Sequence, residues 1–276
     1  MVNKRKCKII VSVAPVGKEV PETSFNPITP EEVAEEVTAC AEAGASMVHL
    51  HVRDRYGNQT ADLTDFSQTL DRIRPASDII IQGSTGGLVD LSVEERSTAL
   101  NDHRVQTASL NMGSVNFGDE VYVNTLPNIQ YWARRMAEER IVPELEIFEA
   151  GMIPVYKQLM AKTVLRKPFS FNFILGVEWG MPAVHQSLFF LTSFLDQPIP
   201  WGITHVGMTD FSLLATAIGL GAAVVRVGFE DSAFYAPGKA AHANVELVER
   251  AVALVRHIGF DVATIEEARD ILGVLK

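Results

Sequence analysis

The chain has little cysteine: Cys7 and Cys40 are the two present in 276 residues, with no CxxC pair and no spacing that suggests a disulfide framework. This excludes a disulfide scaffold and fits a reducing compartment. Basic charge is also scarce, since 24 Lys and Arg stand against 34 Asp and Glu and leave a net charge of −10. Nucleic acid binding needs a concentrated cationic surface, so nucleic acid is excluded as a partner. No apolar run reaches the roughly 18 residues of a membrane span, and no membrane helix is expected. The N-terminal "MVNKRKCKIIVSVAP" puts basic residues before an apolar run, as a signal peptide does. However, Ile9 to Ala14 is too short, and no small-residue cleavage site closes it before Pro15 and Gly17. A cytoplasmic protein is expected. No low-complexity tract or Pro/Ser-rich linker divides the sequence, so residues 1–276 are read as a single domain.

What is present is an alternation of short β-branched runs with longer amphipathic ones, at intervals of roughly 30 residues, the length of a βα unit. Strands are predicted at 8–14, 46–52, 78–84, 105–111, 141–148, 169–176, 201–207 and 222–228. Helical stretches lie between them. "TPEEVAEEVTACAEAG" is typical: Thr29 caps it, Pro30 sits in the first turn and Gly44 stops it. Shorter helices are predicted within 63–74 and 92–102, and "TIEEARDIL" forms an extra helix at the end. This pattern predicts an α/β fold, a (β/α)₈ TIM barrel with an extra C-terminal helix. A doubly wound open sheet is the alternative, but "APVGKEVPE" after the first strand is not a Gly-rich nucleotide turn.

In such a barrel, functional groups collect at the C-terminal strand ends. Glu19 follows strand 1, and His49, His51 and Arg53 alternate with Val48, Leu50 and Val52 on strand 2. Period two puts the histidines and the arginine on one face, inward if the valines and leucine pack against the helices. Two imidazoles at i and i+2 can reach one divalent ion, and a carboxylate from another strand would complete a site suited to Zn²⁺, Fe²⁺ or Mn²⁺. "QGSTGG" after strand 3 offers Ser84, Thr85, Gly86 and Gly87, either as a nest for carboxylate or phosphate oxygens or as a plain turn. Asn111 ends strand 4, with Asn116 in the next loop, while Glu144, Glu146 and Glu149 lie on strand 5. "VRVGFEDS" closes strand 8 with Arg226, Glu230 and Asp231. A buried Arg there can clamp a carboxylate, and a neighbouring acid can ligate metal or act as base. His185 and His205 stand alone and read as structural. Trp132, Trp179 and Trp201 read as packing or substrate-wall residues.

"HLHVRD", "STGG", "ASLNMGSVNFGD", "VPELEIFEAGM", "FILGVEWGMP" and "RVGFEDS" together resemble the β-keto acid cleavage enzymes, nearly end to end. The resemblance implies a TIM barrel, usually a homotetramer, that binds one Zn²⁺ per subunit. It also implies an acyltransferase reaction in which a 3-keto acid and acetyl-CoA give acetoacetate and a new acyl-CoA, as in lysine fermentation. By motif matching, His49, His51 and Glu230 would hold the metal. Arg226 and Asp231 would form the catalytic dyad, Ser84 would bind substrate, and Ser109 would keep a hydroxyl where family members have Thr. Glu19 and Glu146 match acids set against a substrate ammonium group, which implies a cationic 3-keto acid such as 3-keto-5-aminohexanoate or dehydrocarnitine. Two features open other readings: "APVGKEVPE" departs from the family's turn, and Glu146 could instead partner Arg53. Arg53 is expected to hold carboxylates behind the metal ligands. The rival readings are a metal-dependent hydrolase, whose HxH normally lies on the first strand, and a non-catalytic ligand-binding homologue. The presence of both Arg226 and Asp231 speaks against the latter.

Overall fold

The inward and outward alternation of the strand residues is realised by closing the sheet on itself. The computed structural model describes residues 8–86 and 91–275, so Cys7 and Gly87 lie outside the described residues. Eight parallel strands form the ring: β1 (Lys8–Val13), β2 (Met47–Leu50), β3 (Ile80–Gly83), β4 (Thr107–Asn111), β5 (Val142–Ile147), β6 (Ser170–Leu175), β7 (Trp201–His205) and β8 (Val224–Val227). Each pairs with its neighbour in sequence, and β8 returns to β1 with Ser12 opposite Arg226. That pairing excludes the open sheet, and the chain is the expected (β/α)₈ barrel.

The helices are α1 (Pro30–Ala43), α2 (Thr64–Ile73), α3 (Val93–Arg96), α4 (Leu126–Glu138), α5 (Val155–Ala161), α6 (His185–Thr192), α7 (Ser212–Gly219), α8 (Asn244–His257) and α9 (Ile265–Leu272). At the start of α1, the Thr29 hydroxyl accepts from the Glu32 amide while the Glu32 carboxylate accepts from the Thr29 amide at 2.9 Å. Two otherwise unpaired donors are thereby satisfied, and Gly44, at φ 117°, turns the chain out of the helix. Two regions differ from expectation. The helix predicted within 92–102 is one turn, followed by a 3₁₀ turn at Thr98–Asn101. The loop after β4 forms a hairpin, Val115–Phe117 paired with Glu120–Tyr122, because Gly118 adopts φ 60° and suits a two-residue turn with Asp119.

Outward residues such as Val11, Val48, Ile81, Leu145, Phe173 and Val225 pack against the helices in one continuous core. Inside the ring the packing divides by height. At the N-terminal end Ile10, Met47, Ile80, Val142 and Val224 form an apolar floor, covered from below by Ala268, Leu272 and Val274 of α9 and its tail. Above that floor the interior is polar: Ser12, His49, Gln82, Ser109, Asn111, Glu144, Glu146, Asn172, Thr204 and Arg226 are all buried. So many polar groups are costly to bury unless they bond one another or a ligand, which directs attention to the upper end of the barrel.

Candidate active site

Strand β2 delivers His49 into the interior, and His51 follows just past its end. Glu230 reaches them from the turn after β8, across the seam where β8 pairs with β1. That turn is set by Gly228, at φ 135°, and by the Glu230 amide donating to the Ala14 carbonyl at 3.1 Å. The Glu230 Oε1 lies 3.7 Å from His49 Nε2 and 3.4 Å from His51 Nε2. One ligand atom from each of the three residues lies within 4.8 Å of the others, and among the described residues this is the group of three or more His, Cys, Asp or Glu able to hold an ion.

The donor set fits a divalent cation. Burial drives the His49 imidazole down to about 3, so the ring is neutral at physiological pH. Burial works to raise the Glu230 carboxyl, but His51, His49 and Arg226 outweigh it and hold the group well below the usual range. The neutral His49 imidazole, a second imidazole from His51 and the ionised Glu230 carboxylate make up a set of side chains of the kind that zinc and similar ions take. His49 Nδ1 is held at 2.7 Å from the Gln82 Oε1, and His51 Nδ1 lies 3.0 Å from the Gln59 side-chain nitrogen.

Beside the trio, Arg226 donates from Nε to Asp231 Oδ2 at 2.8 Å and from Nη2 to Oδ1 at 2.5 Å, a bidentate fork. Its Nη2 also lies 3.4 Å from Glu230, so one guanidinium bridges a metal-ligand candidate and a second carboxylate. Burial opposes the Arg226 charge, yet Asp231 and Glu230 more than compensate and raise the group above its ordinary value. Asp231 is itself pushed upward by burial, against the pull of Arg226. The buried Nη1 of Arg226 has no protein partner.

The other sequence candidates divide. Ser84 leaves β3 with its hydroxyl accepting from the Gly86 amide at 2.9 Å, and a side chain at Gly86 would come within 3.5 Å of His51 Cε1, so this turn borders the trio. Thr85 is fully buried and its hydroxyl is committed to the Ser109 carbonyl at 2.6 Å, while the Ser109 hydroxyl accepts from the Thr85 amide. Asn111 donates to the Tyr122 hydroxyl at 3.0 Å. Glu146 lies opposite Asn111 across β4 and β5, and burial pushes its carboxyl up to about 8. Glu19 is not brought to the cluster: it is exposed in the loop after β1. Arg53 donates from Nη1 to the Gly57 carbonyl at 2.8 Å, closing its own turn, and its buried Nε has no protein partner.

Sequence reasoning passed over three residues at this end. Tyr122 rides on the hairpin after β4 and reaches Asn111; the Gly118-Asp119 pair between alternating residues was a signal for it. Arg96 is buried against Tyr122 and Trp132, with its guanidinium carbon 4.9 and 4.3 Å from their ring centres, and donates to the Thr85 carbonyl at 3.1 Å. Nothing local marks it. Gln82 was read only as part of a strand.

A model of the beta-keto acid cleavage enzyme family matches residues 8–274. This chain is a member of the β-keto acid cleavage enzyme family. The 3-keto-5-aminohexanoate cleavage enzymes of Fusobacterium nucleatum subsp. nucleatum and Acetoanaerobium sticklandii are each 38% identical to it over 274 residues, covering 98% of this chain and 99% of theirs. Among solved structures, apo ObcA superposes with a TM-score of 0.76 at 20% identity, over 91% of this chain and 66% of that one, a likeness of fold. Membership in the β-keto acid cleavage enzyme family makes the chain an enzyme, and the trio and the dyad occupy the barrel end where this fold does its chemistry.

Proposed function

We propose that the protein is a metal-dependent acyltransferase that combines a 3-keto acid with acetyl-CoA to give acetoacetate and a new acyl-CoA. The observation that carries this reading is the convergence of His49, His51 and Glu230 on one point, with the Arg226–Asp231 fork beside them. A divalent ion held by those three residues, zinc in this reading, supplies Lewis-acid stabilisation of enolate charge worth several kcal/mol. Asp231 takes the proton from C2 of the keto acid, and Arg226 keeps the accepting carboxylate aimed and its charge balanced. A new bond then joins C2 to the acetyl carbonyl carbon. The CoA sulfur leaves that carbon and attaches to C3, the C2–C3 bond breaks to leave the other acyl group on CoA, and the proton held by Asp231 returns to C2 to complete acetoacetate. Ser84, Ser109, Asn111 and Gly86 bind and orient the substrate at the mouth, with Thr85 bracing the turn.

For the substituent carried on C3, we favour a cationic group. Burial pushes the Glu146 carboxyl up to about 8 despite the pull of Arg226, and an ammonium beside it would restore its charge. The 38% identity to two enzymes named for an amino-substituted keto acid supports the same choice. The reading also carries a cytoplasmic, single-domain homotetramer; among the described residues no helix is long and apolar enough to cross a membrane.

The test is to incubate metal-replete protein with acetyl-CoA and a panel of cationic, neutral and anionic 3-keto acids, following acetoacetate. Turnover that requires CoA and is fastest with the cationic members is expected. No turnover across the panel sinks the reading, and CoA-independent hydrolysis with two metal ions per chain replaces it with a hydrolase. Light scattering checks the tetramer.

A further inference from the structure

The polar interior contains a line of hydrogen bonds running away from the metal-ligand candidates, and it determines which nitrogen of His49 carries a proton. The His49 Nδ1 and Gln82 Oε1 are 2.7 Å apart, on residues directly opposite in the β2–β3 register. An amide side chain can present either its oxygen or its nitrogen, so the contact alone leaves the tautomer open. The other end of Gln82 decides it. Its nitrogen donates to the Met47 sulfur at 4.0 Å, and the Gln82 side chain favours the charge of the Glu144 carboxylate, on β5, against the upward push of burial. Glu144 acts as acceptor, since the Asn172 amide donates to its Oε1 at 3.0 Å, and the same amide nitrogen reaches the Thr204 hydroxyl at 3.0 Å. With acceptors on its nitrogen side, Gln82 must turn its oxygen to His49. His49, Gln82, Glu144, Asn172 and Thr204 are each at most 3% exposed, so none of these links faces bulk solvent.

The consequence lies at the far side of the imidazole. With Nδ1 protonated, His49 Nε2 presents a bare lone pair to Glu230 Oε1, 3.7 Å away, with no proton between two electron-rich atoms. Such a pair is favourable only with a cation between them.

We infer that Gln82, with Glu144 behind it, is a positioning residue that presets His49 in the tautomer a metal requires, so that His49 is a ready ligand. This rests on His49 being a metal ligand as proposed above.

The experiment uses the full-length metal-free chain. Two-bond ¹H–¹⁵N correlation spectra, with His49 assigned by its loss in His49→Ala, read the tautomer directly, and zinc affinity is measured by competition with a chromophoric chelator. Wild-type His49 is expected as Nδ1–H. Gln82→Leu is expected to lose that preference and to bind zinc about 10–100-fold more weakly. In Gln82→Glu the new carboxyl would share a proton with Glu144 and still offer His49 an acceptor oxygen, so zinc affinity should stay within a few fold of wild type, a rescue that a packing role would not produce. His49 found as Nε2–H in the wild type overturns the inference, as does Gln82→Leu with unchanged tautomer and affinity. If Gln82→Leu does not fold, the wild-type spectrum and Gln82→Glu decide, since weak zinc binding by the latter also overturns it. A wild type that binds no zinc sinks the metal reading instead, while the spectrum still decides the tautomer.

Discussion

Asp231 sits beside the metal-ligand candidates without being one of them, which separates its role from theirs. Asp231→Asn keeps the shape of the fork and removes the base. The expected outcome is a fall in kcat of about 10²–10⁴-fold with zinc content unchanged, checked by steady-state kinetics and elemental analysis. Elsewhere a single carboxylate carries a pH signature. Asp102 accepts from Arg104 at 2.7 and 2.8 Å and from the Ser67 hydroxyl at 2.8 Å; although burial opposes it, these bonds hold the carboxyl at about 2. A folded pKa below the unfolded one stabilises the protein above about pH 4, and that contribution disappears as pH falls through about 2. Asp102→Asn should therefore cost roughly 2 kcal/mol at pH 7 and little near pH 2, measured by urea unfolding at both. At this scale the sequence was informative where chemistry is packed into neighbouring positions. The HLH and GFED runs announce themselves because period two or adjacency puts their groups together. Gln82 and Glu144 do not, because they are 62 positions apart and are brought near each other only once the strands around β4 line the barrel interior. Glu19 shows the limit of position alone, since it stands exposed in the first strand-end loop.

Elements tell a similar story through their turns. The strands and the cap of α1 were legible from β-branched runs and from Thr29, Pro30 and Gly44, since local bonds and burial both favour the same structure. The hairpin after β4 was not foreseen because Asn116 and its neighbours were read as a plain loop, although Gly118-Asp119 carried the signal. The one-turn α3 shows the converse, a helical pattern cut short. The turn after β8 is the most demanding. At Gly228, φ is 135°, and an added Cβ would overlap the Ala14 carbonyl oxygen and lie 2.7 Å from its carbon. Gly228→Ala is expected to lower stability by more than about 2 kcal/mol, from a backbone conformation open to glycine and from overpacking. It should also weaken zinc binding, because Glu230 is fixed by the amide bond to Ala14; thermal melts with and without zinc check both effects.

For the whole molecule, the eightfold alternation specified a closed barrel, and the last helix was placed correctly as an addition to it. What the sequence did not disclose is the vertical division of the lumen, apolar below and polar above, since both halves occupy the same inward positions of the same strands. Leu272 is 4% exposed against the floor. Leu272→Ala should cost about 2–5 kcal/mol in unfolding while leaving turnover by the folded protein intact, because the floor lies at the opposite end from the chemistry.

The seam between β8 and β1 has a consequence for how the chain acquires its activity. His49 and His51 arrive early in synthesis and Glu230 and Asp231 some 180 residues later, and they meet only when β8 docks onto β1. A partly folded chain with that seam open has two histidines and no third ligand, so it cannot capture an ion in the native way. An ion held only by the closed ring would shift the balance toward closure, and metal availability would then set how long the nascent barrel stays open to proteolysis.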